Sequence, residues 1–91
     1  MKSPCVYIMA NKKNGTLYIG VTNDLIQSVQ EYKHKHAENH HIRNLVYFEI
    51  HQNIVSALER EKQINKLDQE LTIELIEKTN TDWVDLWNQI R

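Results

Sequence analysis

Residues 6–21 read VYIMANKKNGTLYIGV, and the fold turns on how this stretch is interpreted. Two runs alternating apolar and polar residues flank the polar segment Asn11-Lys12-Lys13-Asn14-Gly15. Asn-Gly between such runs is a strong short-range signal for two antiparallel strands joined by a turn. The period of two places Tyr7 and Met9 on one face of the first strand, and separates Leu17 and Ile19 from Tyr18 on the second. Each strand of this β-hairpin therefore carries one tyrosine.

Downstream of the hairpin, Thr22 or Asn23 can cap a helix whose first turn holds Asp24, an acid that favours a helix N-terminus. Leu25, Val29 and Tyr32 recur at i, i+4, i+7, so the helix is expected to run to about Lys35. The following HKHAENHHIRN lacks an apolar period and reads as an exposed loop. Its His34, His36, His40 and His41 are spaced so that two imidazoles could share one zinc ion. A structural zinc site usually adds cysteine, so a solvated loop that gains charge below about pH 6.5 is the simpler reading.

Leu45 to His51, LVYFEIH, is aromatic and β-branched and is expected to form a third strand. Asn53 then caps a helix on which Ala57, Leu58, Glu61 and Ile64 share a stripe. Glu61 is the odd member, a carboxylate on the apolar side. A further helix from about Asp68 to Lys78 is expected to pack Leu71, Leu75 and Ile76. Thr81 can cap a last helix bearing Trp83, Leu86, Trp87 and Ile90 at i, i+3, i+4, i+7. The order β-β-α-β-α-α-α gives an α+β domain spanning residues 1–91, a three-stranded antiparallel sheet flanked by helices.

Ninety-one residues suit one domain with a modest core. Hydrophobic content of 41% with 25% charged residues is ordinary for a globular chain, and two Gly and one Pro argue against low complexity. Met1 to Pro4 carries one lysine with no long apolar run after it, so neither a secretory signal nor a membrane span is expected, and a cytoplasmic location follows. Cys5, the lone cysteine, has no internal disulfide partner and reads as a small core residue. The net charge of −1 hides an asymmetry: residues 1–48 carry six bases and three acids, residues 49–91 five bases and nine acids. A nucleic-acid face would lie in the first half, because phosphate binding needs Lys and Arg.

The pairing of Val6-Tyr7-Ile8 with Tyr18-Ile19-Gly20 resembles the signature of the GIY-YIG nuclease superfamily. The resemblance extends along the chain: GVTNDL from Gly20, LVYFE from Leu45, EREKQI from Glu59 and NTDW from Asn80 follow in family order at family spacing. It is to the small single-domain bacterial type, similar to the N-terminal domain of excinuclease C. It implies the GIY-YIG fold and metal-dependent hydrolysis of DNA phosphodiester bonds with one Mg2+ or Mn2+ ion. By position it implies Glu61 as metal ligand, Tyr7 and Tyr18 as groups that orient or deprotonate water, Tyr32 beside them, and Asn80 as support. Gly20 would admit a close backbone approach. Each residue has a plainer reading alone: the tyrosines as sheet aromatics, Glu61 as a partner of Lys62 or Lys33, Asn80 as a turn former. Their joint occurrence in family order favours the site.

The departures concern charge. Ser28 stands where the family carries its phosphate-holding arginine, Gln27 precedes it where relatives often have another, and Asn65 replaces a common lysine. Losing one group that stabilises transition-state charge typically costs about 10²- to 10³-fold in rate. Lys33 and Lys35, downstream of Ser28, and Lys12 and Lys13 at the hairpin tip are the nearest substitutes, none at i±3 or i±4 from Ser28. Two functions follow: an endonuclease with weakened or lost activity, with DNA as partner, or an inactive module that binds nucleic acid or a protein. A homodimer through Trp83 and Trp87 is a third arrangement.

Overall fold

The structure is a computed structural model that describes residues 2–13, 15–35 and 44–91. Strand β1 (Cys5–Ala10) and strand β2 (Leu17–Thr22) form the hairpin, followed by helix α1 (Leu25–Lys35). Strand β3 (Asn44–Ile50), helix α2 (Ile54–Asn65), helix α3 (Gln69–Glu77) and a short helix α4 (Trp87–Ile90) complete the order. The three strands make one antiparallel sheet in the order β2-β1-β3, as the α+β reading expected.

All six residues of the central strand are buried, so CVYIMA reads as a continuous apolar run rather than a half-wet alternation. Its odd residues Cys5, Tyr7 and Met9 pack with Leu25 and Val29 of α1, Leu45, Leu86 and Ile90. Its even residues Val6, Ile8 and Ala10 pack with Ala57, Ile64, Ile76 and Trp83. Helices α1 and α4 thus cover one face, and α2 and α3 the other. Fully burying a side chain such as Ile8 is worth roughly 1.5–3 kcal/mol against exposure.

The hairpin forms as expected. Its connection runs from residue 11 to 16, closed by Thr16 N donating to Asn11 Oδ1 at 2.8 Å and Asn11 N to Thr16 O at 3.3 Å. Asn11 therefore supplies the turn acceptor. The cap of α1 moves: Asp24 itself accepts from Gln27 N at 3.2 Å, while Thr22 Oγ1 receives Asp24 N at 3.0 Å. The cap of α2 is Asn53 as expected, receiving Ser56 N at 2.9 Å.

Between β1 and β3 the register slips, with Ile8 opposite Tyr47 and Met9 opposite Leu45. The extra residue is Val46, and such a bulge lets neighbours share a face. Val46 and Tyr47 accordingly both join the α2–α3 side. Leu58 and Leu71, expected in the core, are 44% and 46% exposed, and Ala57, Ile64, Thr72 and Ile76 carry those helices' burial. Small and medium side chains fit closest to the sheet.

The last expected helix is mostly absent. Trp83 adopts φ 57°, a left-handed conformation uncommon for a bulky residue, and only Trp87–Ile90 is helical. Thr81 Oγ1 donates back to Glu77 O at 3.3 Å instead of capping a new helix. The reason lies in packing: Trp83 enters the α2–α3 core, while Leu86 and Ile90 enter the α1 core. A regular helix would have put all three on one stripe. The irregular segment also covers β3's outer edge, where Leu86 N donates to Leu45 O at 2.8 Å and Leu45 N to Asp85 Oδ1 at 3.0 Å. Covering an edge in this way blocks unwanted strand pairing. With Trp83 only 4% exposed and Trp87 on the other face, the two tryptophans form no common surface for a second copy. No described helix is long and apolar enough to cross a membrane.

Candidate active site

The alternation of β2 divides its side chains between the two layers. Leu17, Ile19 and Val21 pack toward α2 and α3, leaving Tyr18, Gly20 and Thr22 on the α1 face. Tyr7 of β1 lies directly opposite Gly20 in the register. A Cβ on residue 20 would stand 2.7 Å from both Cζ and the hydroxyl oxygen of Tyr7. Glycine is required here for space, since its φ is not positive. The missing side chain lets the Tyr7 ring lie across β2 toward Tyr18.

Three of the expected residues are brought together. The Tyr7 and Tyr18 ring centroids are 6.1 Å apart, and those of Tyr18 and Tyr32 are 4.7 Å apart. Tilted rings at such separations attract through their quadrupoles beyond simple area burial. Depth varies along the row: Tyr7 is 5% exposed and Tyr18 40%. Burial, reinforced by the neighbouring Tyr18, pushes the Tyr7 phenol well above its usual pKa, and burial also raises Tyr32. At neutral pH Tyr7 is therefore a protonated donor that can orient a water or an oxyanion. A phenolate base resident in the free protein is not what this environment favours.

The position expected to hold an arginine is occupied by a hydroxyl clasp. Ser28 Oγ and Thr22 Oγ1 are hydrogen-bonded, tying the second turn of α1 to the end of β2. Thr22 Oγ1 also contacts the backbone of Asp24. Gln27 Nε2 donates to Glu31 Oε1 at 3.2 Å along the outer surface of α1. Lys33 is drawn elsewhere, with Nζ 2.6 Å from Asp85 Oδ2 and 5.9 Å from the Trp87 ring centroid. Its role there is to join α1 to the C-terminal segment. Lys12 and Lys13 are exposed at the hairpin connection.

Glu61 lies on α2, four residues after buried Ala57 and three before buried Ile64, so it flanks the helix stripe that faces β1 and β2. It is half-buried, and its Oε2 accepts from Asn65 Nδ2. Hard divalent cations take oxygen ligands, and Mg2+ commonly uses one or two carboxylates and keeps several waters. One accessible carboxylate beside an amide suits that pattern. Among the described residues there is no group of three or more His, Cys, Asp or Glu that could hold a metal. Glu61 belongs to the α2 layer and the tyrosine rings to the α1 layer, with the sheet between them. Of the histidine loop, His36, His40 and His41 lie outside the described residues, and His34 is exposed at the end of α1.

Asn80 is 5% exposed and committed to the backbone. Its Nδ2 donates to Val46 O at 3.0 Å and Val84 O at 2.9 Å, while Oδ1 accepts Val84 N at 3.0 Å. Every polar group of the side chain is used. Its part is to fasten the C-terminal segment to β3.

A cluster that the sequence reading did not single out joins β3 to α2. Glu49 accepts hydrogen bonds from Tyr47, His51 and Arg60, and His51 in turn meets Ser56. Residues 47, 49 and 51 alternate, and 56 and 60 are four apart, a pattern that was present but carries no signal until the strand and helix are placed together.

A family model described as GIY-YIG catalytic domain matches residues 3–74. No curated protein and no solved structure matches the chain.

Proposed function

The chain belongs to the GIY-YIG family, whose catalytic domain is nuclease-like, and from that premise we propose that it hydrolyses DNA phosphodiester bonds at a reduced rate. The observation that carries this reading is the row Tyr7–Tyr18–Tyr32 laid against Gly20, with no bulky side chain between the rings and β2.

In this mechanism Tyr7, held protonated by burial, donates a hydrogen bond that orients the attacking water or a phosphoryl oxygen. Tyr18, the more exposed of the pair on the hairpin, is the group best placed to hydrogen-bond the attacking water, whose proton passes to solvent as it attacks. Tyr32 braces Tyr18 by ring contact. Glu61, with Asn65 beside it, would hold a single Mg2+ or Mn2+. When bound, that ion offsets charge developing on phosphoryl oxygens. Lys12 and Lys13 supply positive charge for the DNA backbone at the hairpin end of the molecule. Ser28, bonded to Thr22, contributes no cation, which is the reason for assigning a slow reaction.

The test is nicking of supercoiled plasmid by the purified chain in Mg2+ or Mn2+, alongside Glu61→Gln and Tyr7→Phe. Cleavage that both variants abolish supports the proposal. Wild-type cleavage no greater than that of Glu61→Gln refutes it.

The Ser28–Thr22 clasp favours a second reading, a module that has kept the fold to bind nucleic acid or a protein without turnover. Salt-sensitive retention on immobilised DNA with no cleavage would support the nucleic-acid form of it. Retention that salt leaves unchanged, or its absence, would turn this reading toward a protein partner.

A further inference from the structure

The Glu49 cluster sits on the flank of α2 opposite Glu61. Arg60 Nε lies 3.1 Å from Glu49 Oε1 and 3.0 Å from Oε2, and Arg60 Nη2 lies 3.0 Å from Oε2. Tyr47 donates its hydroxyl to Oε2. His51 Nε2 is 2.9 Å from Oε1, and its Nδ1 is 3.0 Å from Ser56 Oγ. The Glu49 side chain is 19% exposed. Burial alone would raise its pKa, but hydrogen bonds from Arg60, Tyr47 and His51 together hold it below the ordinary value. The chain Ser56–His51–Glu49 has the residue order of a nucleophile relay, yet Glu49 already balances the Arg60 guanidinium. The cluster is built as an anchor.

What it anchors follows from helix geometry. Successive residues on α2 are about 100° apart, so Ser56 and Arg60 lie on one side of the Ala57–Ile64 stripe, and Glu61 and Asn65 on the other. The first side meets β3 and the second faces β2. A forked guanidinium–carboxylate contact restrains rotation because both oxygens must be met at once. Side-chain ends lie about 5–6 Å from a helix axis, so a 10° roll of α2 would shift Glu61 by about 1 Å.

We propose that Glu49 and Arg60 are positioning residues: their fork sets the roll of α2 and thereby aims the Glu61 carboxylate at the cation site by the edge of β2. This rests on the reading of Glu61 as the cation ligand. Arg60 touches neither the cation nor the substrate.

Electrostatics and positioning predict opposite signs for one variant, which makes the proposal testable. Arg60 is a cation next to Glu61 in sequence, so removing its charge alone would tighten binding of a divalent cation. Loss of aim would weaken it. Mn2+ binding to the full chain, followed by loss of the free-ion electron paramagnetic resonance signal, is the assay. Arg60→Met is expected to weaken Mn2+ binding about 10-fold or more, with an unchanged circular dichroism spectrum. Arg60→Lys keeps the charge without the fork and serves if Arg60→Met fails to fold; it is expected to weaken binding as well. Exchanging the pair, Glu49→Arg with Arg60→Glu, is expected to recover part of the loss. Folded Arg60 variants that bind Mn2+ as tightly as wild type, or tighter, overturn the proposal.

If wild type shows no Mn2+ binding that Glu61→Gln removes, the metal reading of Glu61 fails separately. The aim of Glu61 is then read from the Asn65 side-chain amide resonance in a 15N NMR spectrum, since Glu61 holds that amide. A shift toward the free-amide position in folded Arg60→Met supports positioning. An unmoved resonance overturns it.

Discussion

Replacing Gly20 by alanine probes the contact on which the tyrosine row depends. The added Cβ would lie 2.7 Å from Tyr7 Cζ and 2.9 Å from Cε1, whereas carbon atoms pack best about 3.5–4.0 Å apart. The ring must withdraw by about 0.8–1.3 Å. It has little freedom to do so, being 5% exposed among Leu25, Val29 and Leu86. Overpacking of this kind typically costs about 1–3 kcal/mol. For a chain of this length each kcal/mol lowers Tm by about 4–8 °C, so Gly20→Ala should fall by about 5–20 °C. The sign is informative, because the φ of Gly20 is not positive and alanine in a strand otherwise gains about 0.5–1 kcal/mol over glycine. Thermal denaturation followed by far-ultraviolet circular dichroism measures the shift. A Tyr7→Leu background, lacking the ring tip, should remove most of the penalty and leave a coupling energy of about 1–3 kcal/mol in the double-mutant cycle. An unchanged or higher Tm for Gly20→Ala alone would refute the argument.

Four further outcomes are expected. Ser28→Arg should raise plasmid nicking by about 10²- to 10³-fold with the fold intact; an equal rate in the folded variant would show that the missing cation does not limit the reaction. Asn80→Ala leaves Val46 O, Val84 O and Val84 N without their partner, so chemical denaturation should report a loss of about 2–4 kcal/mol, and a loss under 0.5 kcal/mol would contradict its fastening role. Glu49 has a folded pKa below its ordinary 4.5, so its ionised form stabilises the fold above that pH and the contribution is lost as pH falls through the lower folded value. Stability measured from pH 6 to pH 2 should decline less steeply in Glu49→Gln. Tyr47 is pushed up to about 12, first by burial and then by its bond to Glu49, so its contribution is complete below pH 10 and lost as pH rises through about 12. Tyr47→Phe should lessen that alkaline loss, as unfolding by fluorescence would register.

Much of the architecture was legible because it rests on local periodicity. The two runs flanking residues 11–15 predict both hairpin strands, and the spacing of Leu25, Val29 and Tyr32 predicts the buried face of α1. Asn53 capped α2 where its sequence position said it would. The expected helix through Trp83 failed for a non-local reason. The i, i+3, i+4, i+7 pattern was present, but the two cores lie on opposite faces of the sheet and the chain crosses its edge to fill both. Leu58 and Leu71 were misplaced for a similar reason, since how closely a helix approaches the sheet depends on every residue in the contact.

At the site, resemblance pointed to Tyr7, Tyr18, Tyr32 and Glu61, of which folding brings the three tyrosine rings together, and that Ser28 carries no charge needed no coordinates. Residue identity and local period are properties of the chain, and they suffice for strands, helices and a family signature. Folding added the facts that depend on distance: Gly20 clearing the Tyr7 ring, Ser28 clasping Thr22, Asn80 spent on backbone, and Arg60 forked onto Glu49. Each joins residues between 6 and 34 positions apart, and the free energy of such a contact is settled only once the intervening chain has brought both partners out of water to the same place.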